Sequence, residues 1–256
     1  MTTDYRIVIP SRLASTRLPR KPLLDIGGKT LIERVWDVAI QSAAVSVTVA
    51  TDEPEIADAV RAFGGDAMLT SRTHMSGTDR LAEVADEKHW SDKTIVVNLQ
   101  GDEPAIPPKQ LDQLAEELAR YPDAGIATVS PPIREIDEGF DPSVVKVVRT
   151  TEGYASYFSR APIPWVRDAF SQGKPTKMPE TGALRHLGLY AYRVGTLRRF
   201  TELPPSPLEC AESLEQLRAL EAGVAIRVSR VEAPFGHGVD TPADLERVRM
   251  LFGRPE

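Results

Sequence analysis

The loop after the first apolar run of the chain is rich in cationic side chains. Arg12, Arg17, Arg20 and Lys21 lie close together with no acidic residue among them, although the chain as a whole has a net charge of -6. Guanidinium groups and backbone N–H groups match phosphate oxygens, so this loop could bind a triphosphate. Exposed Arg and Lys side chains are also common, so a solvated basic loop explains the same composition.

Two aspartates directly follow predicted strands. Asp102 comes after the apolar run Thr94–Leu99 and a glycine turn, and Asp240 lies in the turn Gly238–Asp240. Carboxylates at strand ends suit Mg²⁺, which proteins usually bind with one or two carboxylates plus substrate phosphates. Aspartate is also favoured in turns and at helix starts, so each of the two has a structural explanation as well.

Weaker signals come from two other parts of the chain. The segment His74–Arg80 has small polar residues that would let a ligand approach the backbone, although helix capping explains them equally well. Four residues around a proline-rich stretch could bind an acidic substrate, or pair with surface acids as arginines often do: Arg160, Arg167, Arg185 and His186.

Several familiar sites are excluded by residues that are missing. The segment Gly28-Lys29-Thr30 resembles the end of a Walker A loop, but Leu23 stands where that loop needs its first glycine. No G-x-G-x-x-G motif occurs. The single cysteine, Cys210, excludes an intrachain disulfide, and the four histidines form no H-x-x-x-H pair for a structural zinc site.

Composition narrows the class of protein further. The chain has 256 residues, of which 27% are charged and 41% hydrophobic, which is typical of a globular protein with a buried core. Acidic residues outnumber basic ones, 37 to 31, which disfavours a nucleic-acid binder. No apolar run is long enough to span a membrane, and no secretory leader is recognisable, so we expect a cytoplasmic protein without membrane insertion.

The elements that must position these residues alternate between strands and helices. Arg6–Ile9, Val45–Ala50 and Thr94–Leu99 are unbroken apolar runs, typical of strands buried on both faces of a parallel sheet. Helices are predicted between and after these strands: one capped by Thr30, one over Glu55–Phe63, and one from Pro107-Pro108 to about Arg120. This alternation predicts an α/β fold, a Rossmann-like open, mostly parallel sheet.

The second half of the chain differs in pattern. Strands are predicted over Val144–Arg149, Tyr154–Ser159 and His186–Tyr192, with a proline-rich stretch, Ala161–Pro179, that has no clear periodicity. We interpret residues 144–195, approximately, as an inserted β/loop region for substrate or dimer contacts within a single domain of residues 1–256. A helix over Leu208–Glu221, a strand over Ala225–Val231 and a helix capped by Thr241 complete the prediction.

Eight segments, in order from Ile7 to about Val248, together resemble one known family, that of 3-deoxy-manno-octulosonate cytidylyltransferases, the CMP-Kdo synthetases. They are IPSRLASTRLPRKPL, VATDEPEIADA, HMSGTDRLAEV, VNLQGDEP, GYASYFSRAPIPW, RHLGLYAYR, PSPLECAESLEQLR and GVDTPADLERV. The resemblance implies transfer of CMP from CTP to the acidic sugar 3-deoxy-D-manno-octulosonate (Kdo), with release of pyrophosphate, in lipopolysaccharide biosynthesis. It also implies the nucleotide-diphospho-sugar transferase fold, Mg²⁺ as cofactor, and a homodimer.

The resemblance assigns a role to each matching residue. For catalysis it implies Arg12, Lys21, Asp102 and Asp240, of which the two aspartates would be the metal ligands. For the nucleotide it implies Ser11, Arg12, Lys21, Ser76, Gly77 and Gln100. For Kdo it implies Arg160, Arg167, His186, Tyr190, Glu215 and Gln216. No separate base is evident, so we expect the metal to activate the attacking sugar hydroxyl.

Three positions depart from the family pattern. Arg20 stands where glycine is common, Ser11 where alanine is common, and His237 lies in the turn before Gly238. Arginine lacks the backbone freedom of glycine, so the geometry of the loop at Arg20 is the point to check.

Two other functions fit the same motifs. A cytidylyltransferase for another acidic sugar, such as 8-amino-Kdo or a sialic acid, would share the loop and both aspartates. A non-catalytic nucleotide sensor is the alternative from another class, although binding alone does not require a second metal carboxylate. His186 and Tyr190, which share a face of the predicted strand, could equally be a packed pair in the core or in a dimer interface.

Overall fold

The computed structural model describes residues 3–13, 17–171, 173–179, 183–232 and 238–253. Contacts divide the chain into two compact units. The first unit comprises Met1–Glu116, Ala191–Thr201 and Pro234–Glu256, and the second comprises Glu117–Tyr190 and Glu202–Ala233. The single domain expected over residues 1–256 stays a prediction.

The described residues form strands and helices that alternate through most of the chain. The strands are β1 (Tyr5–Ser11), β2 (Ser46–Thr51), β3 (Ala67–Leu69), β4 (Ile95–Asn98), β5 (Ile126–Ser130), β6 (Lys146–Arg149), β7 (Ala155–Ser159), β8 (Leu184–Arg185), β9 (Tyr190–Arg193) and β10 (Ile226–Arg230). The helices are α1 (Leu31–Ile40), α2 (Pro54–Ala62), α3 (Gly77–Glu87), α4 (Pro108–Arg120), α5 (Ile136–Phe140), α6 (Arg167–Phe170), α7 (Val194–Glu202), α8 (Pro207–Glu212), α9 (Glu215–Glu221) and α10 (Pro242–Phe252).

The sheet of the first unit has the strand order β9-β4-β1-β2-β3. β1 pairs in parallel with both β2 and β4, and β2 pairs in parallel with β3. The unbroken apolar runs explain this arrangement, because Ile7, Ile9, Val49 and Val97 are fully buried and a parallel sheet is covered on both faces. The predicted parallel sheet is therefore confirmed here.

Helix starts in the first unit follow the predicted caps. The Thr30 hydroxyl accepts the backbone N–H of Glu33 at the start of α1. The Thr241 hydroxyl likewise accepts the N–H of Asp244, whose carboxylate accepts the N–H of Thr241 in return. Both caps satisfy N–H groups that have no partner within the helix, so these helices begin where the sequence predicts.

The second unit combines a parallel strand pair, β5 with β10, and an antiparallel sheet in the order β7-β6-β8. Lys146, the first residue of β6, is completely buried, and its ammonium group donates to the backbone carbonyls of Asp141, Val144 and Arg160. Burial lowers the pKa of this lysine. Hydrogen bonds to three carbonyls thus replace the water that the ammonium group loses on burial, and they join the loop before β6 to the end of β7.

Two predicted elements were wrong in extent. The strand expected over His186–Tyr192 begins only at Tyr190, in β9, because the preceding strand β8 pairs with β6 only as far as Arg185 and the residues between the two are not in a strand. The helix expected over Leu208–Glu221 is divided into α8 and α9, because Ser213 has a left-handed backbone, with φ of 52°. Two strands with little local signal, β3 and β5, were not anticipated.

Among the described residues, no helix is both long enough and apolar enough to cross a membrane.

Candidate active site

A cavity of about 410 Å³ opens in the first unit where β1 and β4 end. Its lining includes all eight residues expected at the nucleotide and the metal, namely Ser11, Arg12, Lys21, Ser76, Gly77, Gln100, Asp102 and Asp240. The structure therefore brings together residues that are far apart in the sequence.

Strand pairing explains why these loops meet. β1 and β4 are parallel neighbours, with Val8 opposite Asn98, so their carboxyl ends lie at the same edge of the sheet. The turn after β4 lies very close to β1, since a Cβ at Gly101 would be 2.9 Å from the Pro10 carbonyl oxygen. The backbone N–H of Val239 donates to the Asp102 carbonyl at 2.8 Å, which holds the turn that carries Asp240 beside Asp102.

The charged centre of the cavity consists of one ammonium group between two carboxylates. Nζ of Lys21 lies 2.6 Å from Oδ2 of Asp102 and 3.2 Å from Oδ1 of Asp240. Arg17 approaches the same Asp240 oxygen at 3.2 Å. Arg17 appeared in the sequence only as part of a basic loop, and this contact to Asp240 had no local signal.

The carboxylate oxygens at this centre are suitable ligands for Mg²⁺. One small ammonium group contacts an oxygen of Asp102 and an oxygen of Asp240 together, so both oxygens lie within reach of one cation. The described residues contain no group of three or more His, Cys, Asp or Glu side chains that could enclose a metal. Two carboxylates completed by phosphate oxygens are the usual Mg²⁺ site of nucleotide enzymes.

The other wall of the cavity is the start of α3. Ser76 and Asp79 form a reciprocal cap there, and a Cβ at Gly77 would lie 3.2 Å from the Pro10 side chain. Behind the cap, the buried Arg80 pairs with Asp52 at 2.8 Å. Hydrogen bonds of the cap and the Arg80–Asp52 ion pair therefore hold this wall in place.

Arg20 takes the conformation for which glycine was expected. Its φ of 57° and ψ of 30° lie in the left-handed region, and its guanidinium group pairs with Glu55. A left-handed residue other than glycine costs about 1–2 kcal/mol. Arginine thus takes the left-handed conformation at this position, and Lys21 directly after it begins a short 3-10 helix, Lys21–Leu23.

The residues expected at the sugar lie in the second unit. Arg160 follows β7, and its guanidinium group donates to the backbone carbonyls of Glu212, Pro142 and Ser213 at 2.7, 3.0 and 3.4 Å. The Glu212 carboxylate accepts the N–H of Arg160 at 2.9 Å. Arg160 therefore stabilises the break between α8 and α9 through these hydrogen bonds.

His186 and Tyr190 are in contact although they do not share a strand. Nε2 of His186 lies 2.7 Å from the Tyr190 hydroxyl, and the imidazole packs edge-on against Phe158 with ring centres 4.9 Å apart. Burial lowers the pKa of His186 to about 3. The imidazole is therefore neutral at physiological pH, where it can exchange a hydrogen bond but carries no charge.

The remaining sugar candidates lie on two helices. Glu215 and Gln216 are the first residues of α9, and Gln216 is 9% exposed with Nε2 unpaired among the described residues. Arg167 is the exposed first residue of α6. His237, one of the three positions that depart from the family pattern, lies outside the described residues.

Comparisons with known proteins show the family of the chain. Residues 6–226 match the family model described as cytidylyltransferase. The chain is 52% identical over 255 residues to a 3-deoxy-manno-octulosonate cytidylyltransferase of Methylococcus capsulatus, covering 99% of both chains. It is 53% identical to the protein of the same name from Pseudomonas fluorescens, covering 99% of this chain and all of the relative.

Solved structures place the chain in the same group. A CMP:2-keto-3-deoxy-manno-octonic acid synthetase in complex with CTP superposes with a TM-score of 0.88 at 47% identity, covering 97% of this chain and 98% of that one. A 4-diphosphocytidyl-2C-methyl-D-erythritol synthase shares the fold, with a TM-score of 0.61 at 14% identity and 98% and 99% coverage. The Rossmann-like α/β fold expected from the sequence is confirmed.

Proposed function

Because the chain belongs to the 3-deoxy-manno-octulosonate cytidylyltransferase family, we propose that it transfers CMP from CTP to Kdo and releases pyrophosphate. The chain is an enzyme of the nucleotidyltransferase class, and CMP-Kdo is a precursor for lipopolysaccharide. One observation carries the proposal beyond the family: Lys21, Asp102 and Asp240 meet in a single cavity, as transfer of a nucleotidyl group requires.

The nucleotide binds in the cavity of the first unit. Arg12 and Lys21 neutralise the triphosphate, and Ser11 lies in the same loop. Ser76, Gly77 and Gln100 line the cytidine side. In the reaction, a hydroxyl oxygen of Kdo forms a bond to the α-phosphorus and gives up its proton to water. The bond from that phosphorus to the bridging oxygen breaks, and pyrophosphate leaves with the electron pair.

Asp102 and Asp240 would hold Mg²⁺, because their oxygens face the same point. The ion would neutralise negative charge on the triphosphate and so support departure of pyrophosphate. Arg12 and Lys21 would neutralise the remaining negative charge of the triphosphate.

The six sugar candidates have different tasks in this proposal. Arg167 is exposed and offers its guanidinium group to the Kdo carboxylate, and Arg160 keeps two N–H donors beyond its three carbonyl contacts. Neutral His186 positions the Tyr190 hydroxyl towards the sugar, and Glu215 with Gln216 offers acceptors and donors to sugar hydroxyls.

Pyrophosphate release with CTP and Kdo, in the presence of Mg²⁺, tests this function. We expect release only when both substrates are present, and a lower kcat/KM with 8-amino-Kdo or a sialic acid in place of Kdo. A higher kcat/KM for either of those sugars would reassign the substrate. Binding of CTP without pyrophosphate release for any of the three sugars would indicate a nucleotide sensor.

Two further proposals concern the protein as a whole. We expect a homodimer, which light scattering coupled to gel filtration would measure directly. We place the reaction in the cytoplasm, where CTP is available, and fractionation of cells that express the protein would check this.

A further inference from the structure

Lys21 occupies the point at which the two metal-site carboxylates converge. Its ammonium group contacts Asp102 at 2.6 Å and Asp240 at 3.2 Å, and only 16% of its side chain is exposed. Asp102 is 29% exposed and Asp240 54% exposed, so solvent reaches the pair mainly from the side of Asp240. The cation of the chain therefore binds the same oxygens that a divalent cation would need.

The side chain that holds this position is suited to leave it. Lysine presents a compact charge on a flexible stem, whereas the backbone that carries it is fixed by the 3-10 helix Lys21–Leu23 and by the left-handed Arg20 before it. The same ammonium group lines the proposed triphosphate cavity. Phosphate oxygens of a bound nucleotide would offer it new partners a short distance from the carboxylates.

We propose that Lys21 acts as a placeholder cation, which blocks divalent-cation binding to Asp102 and Asp240 until a triphosphate draws the ammonium group away. This inference rests on the proposed function and adds an order to it: the free protein binds the divalent cation weakly, and nucleotide and cation strengthen each other's binding. Coupling of this kind is reciprocal by thermodynamic necessity.

Binding of Mn²⁺ to the free protein, followed by electron paramagnetic resonance without any nucleotide, tests the placeholder. We expect Lys21→Met to bind Mn²⁺ about tenfold more tightly than the unaltered chain, a factor within the ordinary range of coupling between sites. In the presence of EDTA, the same variant should bind CTP more weakly, because the phosphate contact is lost. A purely structural role for Lys21 would weaken the binding of both ligands.

Arg17→Met is the matched control. It also removes one positive charge beside Asp240, but it leaves the contact between Lys21 and Asp102 in place. We expect a change in Mn²⁺ affinity well below that of Lys21→Met. Equal tightening in both variants would show that net charge, and not occupancy by Lys21, governs the site. No tightening in Lys21→Met, or in Lys21→Gln if the first variant unfolds, would overturn the placeholder.

These measurements do not depend on turnover. If pyrophosphate release fails with every sugar while Lys21→Met still tightens Mn²⁺ binding, the proposed function is wrong and the placeholder stands. If release succeeds and Mn²⁺ binding is the same in both proteins, the placeholder is wrong and the function stands.

Discussion

The hydroxyl group of Tyr190 lies 2.7 Å from Nε2 of His186, within the second unit. On the other side of the ring, Nδ1 lies 3.5 Å from the Thr128 hydroxyl, which itself donates to the Leu189 carbonyl at 2.9 Å. With its proton engaged there, Thr128 accepts from Nδ1–H, and Nε2 is left to accept from Tyr190. A neutral imidazole satisfies both contacts, in agreement with its lowered pKa.

The first prediction concerns the pH dependence of stability. The pKa of His186 is about 3 in the folded chain and near its ordinary value of 6.5 when unfolded, so the unfolded chain binds the additional proton. Stability from this group is complete above pH 6.5 and decreases as the pH falls from 6.5 towards 3. The decrease is at most about 1.4 kcal/mol per pH unit.

Urea unfolding at pH 7 and pH 4.5 measures the effect. The loss of unfolding free energy between the two pH values should be smaller in His186→Gln than in the unaltered chain. His89→Asn, which removes an exposed histidine, should lose as much as the unaltered chain. An equal loss in His186→Gln would show that His186 titrates normally.

The second prediction concerns the buried Lys146. Lys146→Met keeps most of the volume but leaves the carbonyls of Asp141, Val144 and Arg160 without their donor. Each unsatisfied buried group costs about 1–3 kcal/mol, so we expect at least about 2 kcal/mol of lost unfolding free energy. Lys174→Met, on an exposed lysine, is the control and should change little. A stable Lys146→Met variant would contradict the view that these carbonyls need the cation.

The nucleotide cavity could be predicted from sequence because its parts carry local signals. Asp102 follows β4, whose carboxyl end lies beside that of its parallel neighbour β1. Asp240 lies in a turn further along the chain, which the backbone bond from Val239 holds beside Asp102. Ser76 and Thr241 mark helix starts by their spacing to Asp79 and Asp244. What the sequence could not show is that Lys21 would contact both carboxylates, because that contact depends on side-chain placement between distant loops.

The second unit was harder to predict because tertiary contacts decide its elements. The periodicity of Leu208–Glu221 fits one helix, but Arg160 draws the carbonyls of Glu212 and Ser213 to itself and the chain breaks there. Lys146 looks like an ordinary strand residue. Its partners Asp141 and Val144 precede it by five and two residues, but the third carbonyl, that of Arg160, comes from beyond β7. Local patterns carry no information about such long-range partners.

The third prediction concerns the left-handed Arg20. Arg20→Gly should raise the unfolding free energy or leave it unchanged. Glycine relieves up to about 1–2 kcal/mol of backbone strain at positive φ. This gain offsets the greater conformational entropy that glycine loses on folding and the loss of the exposed ion pair with Glu55. Arg20→Val should lower it, since a β-branched residue is disfavoured at positive φ. Glu55→Gln isolates the ion pair, and we expect little change in the unfolding free energy because the pair is exposed to solvent. A Val variant as stable as the Gly variant would contradict the left-handed geometry.

The fourth prediction concerns Lys21 in the reaction. Lys21→Ala should lower kcat/KM for CTP by about a hundredfold or more, because charge-assisted contacts to a developing charge in a closed site contribute a few kcal/mol. Lys29→Ala is the control, since Lys29 pairs with Asp37 and Glu33 at the surface of the same unit and does not line the cavity. An unchanged kcat/KM for Lys21→Ala in the pyrophosphate assay would remove the basic loop from the mechanism.

The fifth prediction concerns the carboxylate that faces Lys21. Asp102→Asn keeps the shape of the side chain and the backbone bond from Val239, so the fold and the melting temperature should be retained. The amide cannot supply the anionic oxygen that Mg²⁺ prefers, so we expect turnover to fall by about a hundredfold or more even at saturating Mg²⁺. Asp58→Asn, on an exposed aspartate of α2, is the matched loss of charge and should keep full activity. Near-normal turnover by Asp102→Asn at saturating Mg²⁺ would show that the metal site lies elsewhere.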